Sequence, residues 1–77
     1  MTLQILIRVD ARGLSCPMPI VRTAAAMKAI PPASLVEVLA TDPGSVRDFA
    51  AWSRTTGNEL VEQSVDEGIY RFVLRRK

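Results

Sequence analysis

The sequence predicts a two-layer α/β (α+β) sandwich, with two helices packed on one face of a four-stranded mixed sheet. Three observations carry this expectation. Short apolar runs of strand length alternate with helix-period segments in the order β-α-β-α-β-β. The last two strands meet around Asp66-Glu67-Gly68, a hairpin signal, so at least one pair is antiparallel. Right-handed crossovers then bring both helices to the same side of the sheet when strands add in one direction.

Each element has its own justification. Leu3 to Val9 is an apolar run with β-branched residues, short enough for a strand, and Asp10 to Ser15 breaks it. A helix is predicted from Pro17 to about Ala29. Proline at its first position sacrifices no hydrogen bond, and Pro19 still lies within the first turn. Ile20, Val21, Ala24 and Met27 recur at helical spacing and are expected to face the core, and Pro31-Pro32 stops the helix. Leu35 to Ala40 follows as a strand, with Val36, Val38 and Ala40 on one face. Ser45 and Asp48 have the spacing of a reciprocal cap for the second helix, and Asp42-Pro43 is a competing start. Val46, Phe49, Ala50 and Ser53 mark its expected inner face, and Gly57 a left-handed end. Glu59 to Val65 and Ile69 to Arg75 close the sheet, with Tyr70, Phe72 and Leu74 alternating against Arg71, Val73 and Arg75.

Seventy-seven residues make one domain, 1–77, near the lower size limit for a core without staples. Two phenylalanines, one tyrosine and one tryptophan leave that core to aliphatic side chains. A net charge of +2 gives no compositional case for nucleic acid. No apolar run is long enough to span a membrane, and no basic-then-apolar leader opens the chain. A free cysteine without a secretion signal fits a reducing compartment, so the expected location is cytoplasmic. There is no internal repeat or linker.

The chemistry centres on Cys16, the one thiol in a chain without histidine. It cannot close an internal disulfide, and this chain alone supplies no Ser-His or Cys-His pair. Free cysteines are commonly small buried hydrophobes. This one instead precedes a helix start between Pro17 and Pro19, where partial positive charge and the amides of Met18 and Ile20 are expected to lower its pKa. Arg12 and Arg22 are candidates for added positive potential.

The pattern Asp10-x-x-Gly13-x-x-Cys16-Pro17-x-Pro19 resembles the signature of the TusA/SirA/YedF family of small sulfur carriers. Thr41-Asp42-Pro43-Gly44-Ser45-x-x-Asp48, Glu59-Leu60 and Gly68-Ile69-Tyr70-Arg71-Phe72 extend the likeness over nearly the whole chain. The resemblance implies a fold akin to the C-terminal domain of bacterial translation initiation factor three. It also implies a carrier rather than a turnover enzyme, with no cofactor beyond persulfide sulfur held covalently on Cys16. A cysteine desulfurase or rhodanese-like protein would donate the sulfur. A downstream protein would accept it, for tRNA thiolation, molybdenum-cofactor assembly or sulfur oxidation. Thiolate attack on a sulfur–sulfur bond needs no general base, so the missing histidine is no obstacle. Some relatives of this family carry a second cysteine late in the second helix. Ser53 stands there, which excludes a two-cysteine route. The Pro31-Pro32-Ala33-Ser34 loop also departs from the family's glycine-containing turn.

Supporting roles are expected for Pro17, Pro19, Asp10 and Gly13. Asp10 is read either as bonding loop amides around Cys16 or as a solvated turn residue, and Gly13 as a backbone necessity. Met18, Arg12, Arg22 and Asp48 are candidate partner contacts, Asp48 being first a helix cap. Trp52 is expected at a half-buried rim. No metal site, membrane contact or direct nucleic-acid binding is expected, and the chain is read as a monomer. Two competing functions are a nucleic-acid or regulatory adaptor using Arg71, Arg75, Arg76 and Lys77, and a redox sensor whose thiol forms mixed disulfides.

Overall fold

The computed structural model describes residues 4–77, so Leu3 lies outside the described residues. The elements follow the expected order: β1 (Ile5–Ala11), α1 (Met18–Met27), β2 (Leu35–Ala40), α2 (Ser45–Thr56), β3 (Glu59–Asp66) and β4 (Ile69–Arg75). The sheet order is β1-β2-β4-β3. β1 runs parallel to β2, and β4 is antiparallel to both β2 and β3. The parallel β1–β2 pair is joined by a crossover through α1, and α2 carries the chain from β2 past β4 to β3.

Period-two alternation assigns the inner face of the sheet. Val9 and Ala11 of β1, Val36, Val38 and Ala40 of β2, and Phe72 and Leu74 of β4 are buried together. Met27, Ile30 and Phe49 close over them from the helix layer. Phe49 stacks on Phe72 with ring centroids 4.6 Å apart and meets Trp52 edge-on at 6.2 Å. Trp52 is half-buried against this cluster, as its place beside the inner stripe suggested.

Two expected core residues face outward. Val21 is 49% exposed and Val46 37% exposed. In α1 the buried positions are Pro19, Thr23 and Met27, at i, i+4 and i+8, and Val21 stands about 200° around the helix from Pro19. Thr23 tolerates that setting because its hydroxyl donates to the Pro19 carbonyl at 2.8 Å. In α2 the inner stripe begins at Ser45 and Phe49, which turns Val46 to solvent.

The reciprocal Ser45–Asp48 cap does not form. Gly44 is the N-cap, no side chain caps the helix, and the Ser45 hydroxyl is buried without a hydrogen-bond partner. The Ser45 amide donates instead to the Asp42 carbonyl at 3.0 Å, which frees the Asp48 side chain for other contacts. Gly57 ends α2 at φ +82°, as expected, with its amide donating to the Ser53 carbonyl. The Ser53 hydroxyl donates to the Asn58 carbonyl and accepts from the Leu60 amide, so it fastens the helix end to β3. Glu67 and Gly68 form the hairpin turn, both at positive φ.

Helices cover one face only. On the other, Arg8 of β1, Glu37 of β2, Arg71 of β4 and Glu62 of β3 form a continuous ladder of ion pairs across all four strands. The stems of these long side chains shield apolar neighbours, so Val73 and Leu35 are buried on a face without helices.

Candidate functional site

The strand register decides where Cys16 stands. Ala11 pairs with Ala40, so parallel β1 and β2 end side by side and their following loops rise together. In open α/β sheets this carboxyl edge is where binding sites collect. The loops are tied directly. The Gly13 amide donates to the Thr41 hydroxyl at 2.9 Å, and the Cys16 amide donates to Asp42 Oδ2 at 3.2 Å. Thr41 and Asp42 are the residues that sequence reasoning does not credit with holding the cysteine loop. The available signal is their position directly after β2, next to the end of β1.

Gly13 sits at φ +79°, a left-handed conformation that its turn requires, and a Cβ there would touch nothing within 4 Å. Gly13→Ala therefore carries backbone strain alone, about 1 kcal/mol. A matching change in urea midpoint checks this, and a much larger loss would point to an unrecognised contact.

Cys16 is exposed and lines an open depression with Pro43, Gly44, Val46, Arg47 and Asp48. It stands one residue before the N-cap, Pro17, and α1 begins at Met18. The Met18 amide donates to the Ser15 carbonyl at 2.9 Å and is unavailable to the sulfur. Pro19 is buried under the first turn.

The electrostatics reverse the expectation of a lowered pKa. The Asp48 carboxylate, which lines the same depression, comes first in pushing the Cys16 pKa up, followed by burial and the further negative charge of Asp48 and Asp42. A helix dipole acts mainly within the first turn, whereas the two carboxylates are immediate neighbours.

The other expected residues divide. Asp10 bonds one amide of the loop that leads to Cys16, that of Arg12. It is exposed and binds Arg12, which donates through its amide at 3.1 Å, Nε at 2.9 Å and Nη2 at 3.0 Å. The side-chain hydrogen bond from Arg12 comes first in lowering the Asp10 carboxyl to about 2. Arg12 is thereby occupied by Asp10. Arg22 is exposed on α1, and its charge adds to the lowering of the Asp10 carboxyl. Met18, two residues after the cysteine, is 41% exposed, and Val21, one turn along α1, is exposed as well. Arg71 and Arg75, offered for a basic face, are paired with Glu37, Glu62 and Glu59. Among the described residues no cluster of three or more His, Cys, Asp or Glu side chains is placed to hold a metal. No helix among them is long and apolar enough to cross a membrane.

A family model described as sulfurtransferase TusA matches residues 7–76. The chain belongs to the TusA family. It is 43% identical over 67 residues to the sulfur carrier protein TusA of Allochromatium vinosum, covering 87% of this chain and 88% of that protein. A putative sulfur carrier protein of Bacillus subtilis, YrkI, is 45% identical, with 87% of this chain and 89% of that one covered. Among solved structures, a SirA-like protein from Desulfitobacterium hafniense superposes with a TM-score of 0.80 at 25% identity, over 91% of this chain and 96% of that one. That likeness agrees with the four-stranded mixed sheet and two helices described above. Within this TusA-family chain, the shared edge of β1 and β2 is where its one thiol meets solvent.

Proposed function

We propose that this TusA-family protein carries sulfane sulfur as a persulfide on Cys16 and relays it to a downstream protein. The observation that carries the reading is the presentation of the chain's sole thiol: exposed, on a loop pinned to its neighbour, in an open depression that Val46 also lines. The names of its relatives support the same direction.

Loading is an exchange without net redox change. The Cys16 thiolate attacks the terminal sulfur of a donor persulfide R–S–SH. One sulfur–sulfur bond forms as another breaks, leaving Cys16–S–SH and the donor thiol R–SH, with the proton from Cys16 returned through water. Delivery repeats the exchange in reverse on an acceptor cysteine. Within the chain, Thr41 and Asp42 hold the loop backbone, and Met18, Val21 and Val46 offer the area a donor or acceptor would cover. A cysteine desulfurase or rhodanese-like protein fits as donor.

The ion pairing of Arg71 and Arg75 weakens the nucleic-acid alternative, since both cations are already matched by carboxylates on the sheet face. The test is mass spectrometry after incubation with a cysteine desulfurase and cysteine. One added sulfur atom is expected on the wild-type chain and none on Cys16→Ser. An unmodified wild-type chain, or an adduct that survives Cys16→Ser, overturns the proposal.

A further inference from the structure

The helix layer leaves one corner of the inner sheet face uncovered. Ala11, Ala40, Tyr70 and Val65 are cross-strand partners in a single row from β1 to β3. This row lies at the end of the sheet where the Cys16 loop rises. Ala11 and Ala40 are fully buried and Tyr70 is half-buried, but Val65, at 60%, is the most exposed large apolar residue among those described. Leu60, on the same face of β3, packs against the core. Val65 lies beyond that cover, because α2 meets this corner only through Val46 in its first turn.

The corner is a groove of about 240 Å³, with Val46, Val65, Tyr70 and Phe72 as apolar walls and Gln63 and Ser64 at its side. Val46 also lines the depression that holds Cys16. The two hollows share that wall, so a chain segment laid over the thiol meets the groove on the far side of Val46.

We propose that this groove is the anchor pocket of the sulfur relay: it takes a large aliphatic or aromatic side chain from the partner segment that presents its sulfur-bearing cysteine to Cys16. This rests on the carrier reading of Cys16. Three strand spacings separate β1 from β3, roughly 14 Å at about 4.8 Å each, and extended chain advances roughly 3.3 Å per residue, so about four residues cross the sheet. Side chains an even number of positions apart on such a segment point the same way. The anchor therefore stands two or four residues from the partner's cysteine. Burying it takes Val46 and Val65 out of water, while Gln63 and Ser64 supply a polar rim. Thiol exchange alone does not discriminate between cysteines, and a pocket beside the sulfur supplies that discrimination.

Because Cys16 is the sole thiol, disulfide exchange reports this site alone. The probes are two peptides, each with one cysteine activated as its thionitrobenzoate disulfide. One carries leucine two and four residues to either side of the cysteine, the other alanine at the same places. The Cys16 thiolate attacks the peptide sulfur, the new sulfur–sulfur bond forms, and thionitrobenzoate leaves with the electron pair of the old one. The leucine peptide is expected to exchange at least about tenfold faster, the factor that partial burial of one leucine side chain supplies. In Val65→Asn, which keeps the charge of the chain, the advantage is expected to fall below about threefold as the apolar wall is lost. The rates of that variant with the alanine peptide and with iodoacetamide are expected to match the wild type.

Equal wild-type rates for the two peptides overturn the pocket, as does a leucine preference that persists undiminished in Val65→Asn. Dimerisation of the wild-type chain that Val65→Asn abolishes, measured by sedimentation, assigns the groove to a second copy and also overturns it. Loading with inorganic polysulfide, read by mass as added sulfur, tests the carrier separately. Sulfur uptake with equal peptide rates removes the pocket and leaves the carrier. A leucine preference without sulfur uptake removes the carrier and leaves the groove as a recognition site beside Cys16.

Discussion

Phe49→Ala is expected to remove a large share of the stability of the domain. Phe49 is fully buried, stacks on Phe72 at 4.6 Å, and is the aromatic that fastens α2 to the inner sheet face. Truncating a buried phenylalanine costs about 3–5 kcal/mol, through lost transfer energy and the void left behind. A chain of this length holds roughly 4–12 kcal/mol in total at the usual stability per residue. Collapse of neighbours into the gap is limited, because Val36, Val38 and Leu74 are fixed by sheet pairing. In thermal unfolding the expected drop is roughly 12–40 °C, at the 4–8 °C per kcal/mol typical of small domains. Val46→Ala, one helical position from the inner stripe and partly exposed, is the comparison and should cost under about 1 kcal/mol. A Phe49→Ala loss as small as that of Val46→Ala would mean that α2 is not anchored by this contact.

Why Phe49 was legible and Val46 was not shows what patterning can resolve. Apolar spacing identified both as candidates, but a helix of twelve residues offers more apolar positions than its contact stripe needs. The phase of that stripe is set by Ser45 and Phe49, and burial of a serine is a tertiary outcome that hydropathy runs against. The same holds in α1, where Thr23 lies on the core side and Val21 does not. Strand alternation was read more faithfully, since period two leaves only two phases to choose between.

The site was legible in position and misread in charge. Cys16 before a proline-bearing helix start follows from local sequence alone. Its neighbours Thr41, Asp42 and Asp48 are 25 or more positions away, and only the parallel β1–β2 register brings them across. The spacing of Ser45 and Asp48 pointed to a helix cap, a local role. In the folded chain Asp48 instead lines the same depression as Cys16, and its charge there runs against the expected effect on the thiol. Asp10 combines both of its readings, an exposed turn residue that accepts from a loop amide, that of Arg12 two residues on, and also from its guanidinium.

Glu37→Gln is expected to destabilise the face without helices, and its cost should depend on pH in a defined direction. Glu37 is only 6% exposed and joins Arg8 of β1 to Arg71 of β4 through the central strand. Burial alone would raise its pKa, but hydrogen bonds from Arg71 and then Arg8 outweigh that and hold it below the ordinary glutamate value of 4.5. A carboxyl with a depressed folded pKa contributes stability above its unfolded pKa and loses it as pH falls through the folded value. Glutamine keeps the shape and one acceptor but faces two cations without a charge, so the loss near neutrality should be about 1–3 kcal/mol. Below pH 4.5 the wild type protonates Glu37 and the gap between the two proteins should close. Arg71 stays charged throughout, its own pKa being raised, first by Glu37 and then by Glu62. The Asp10–Arg12 pair also weakens in acid, but equally in both proteins, so it drops out of the difference. Urea unfolding of both chains from neutral pH down to about pH 3 measures this, and a gap that stays constant across that range would mean the ladder holds the strands through shape and not through charge.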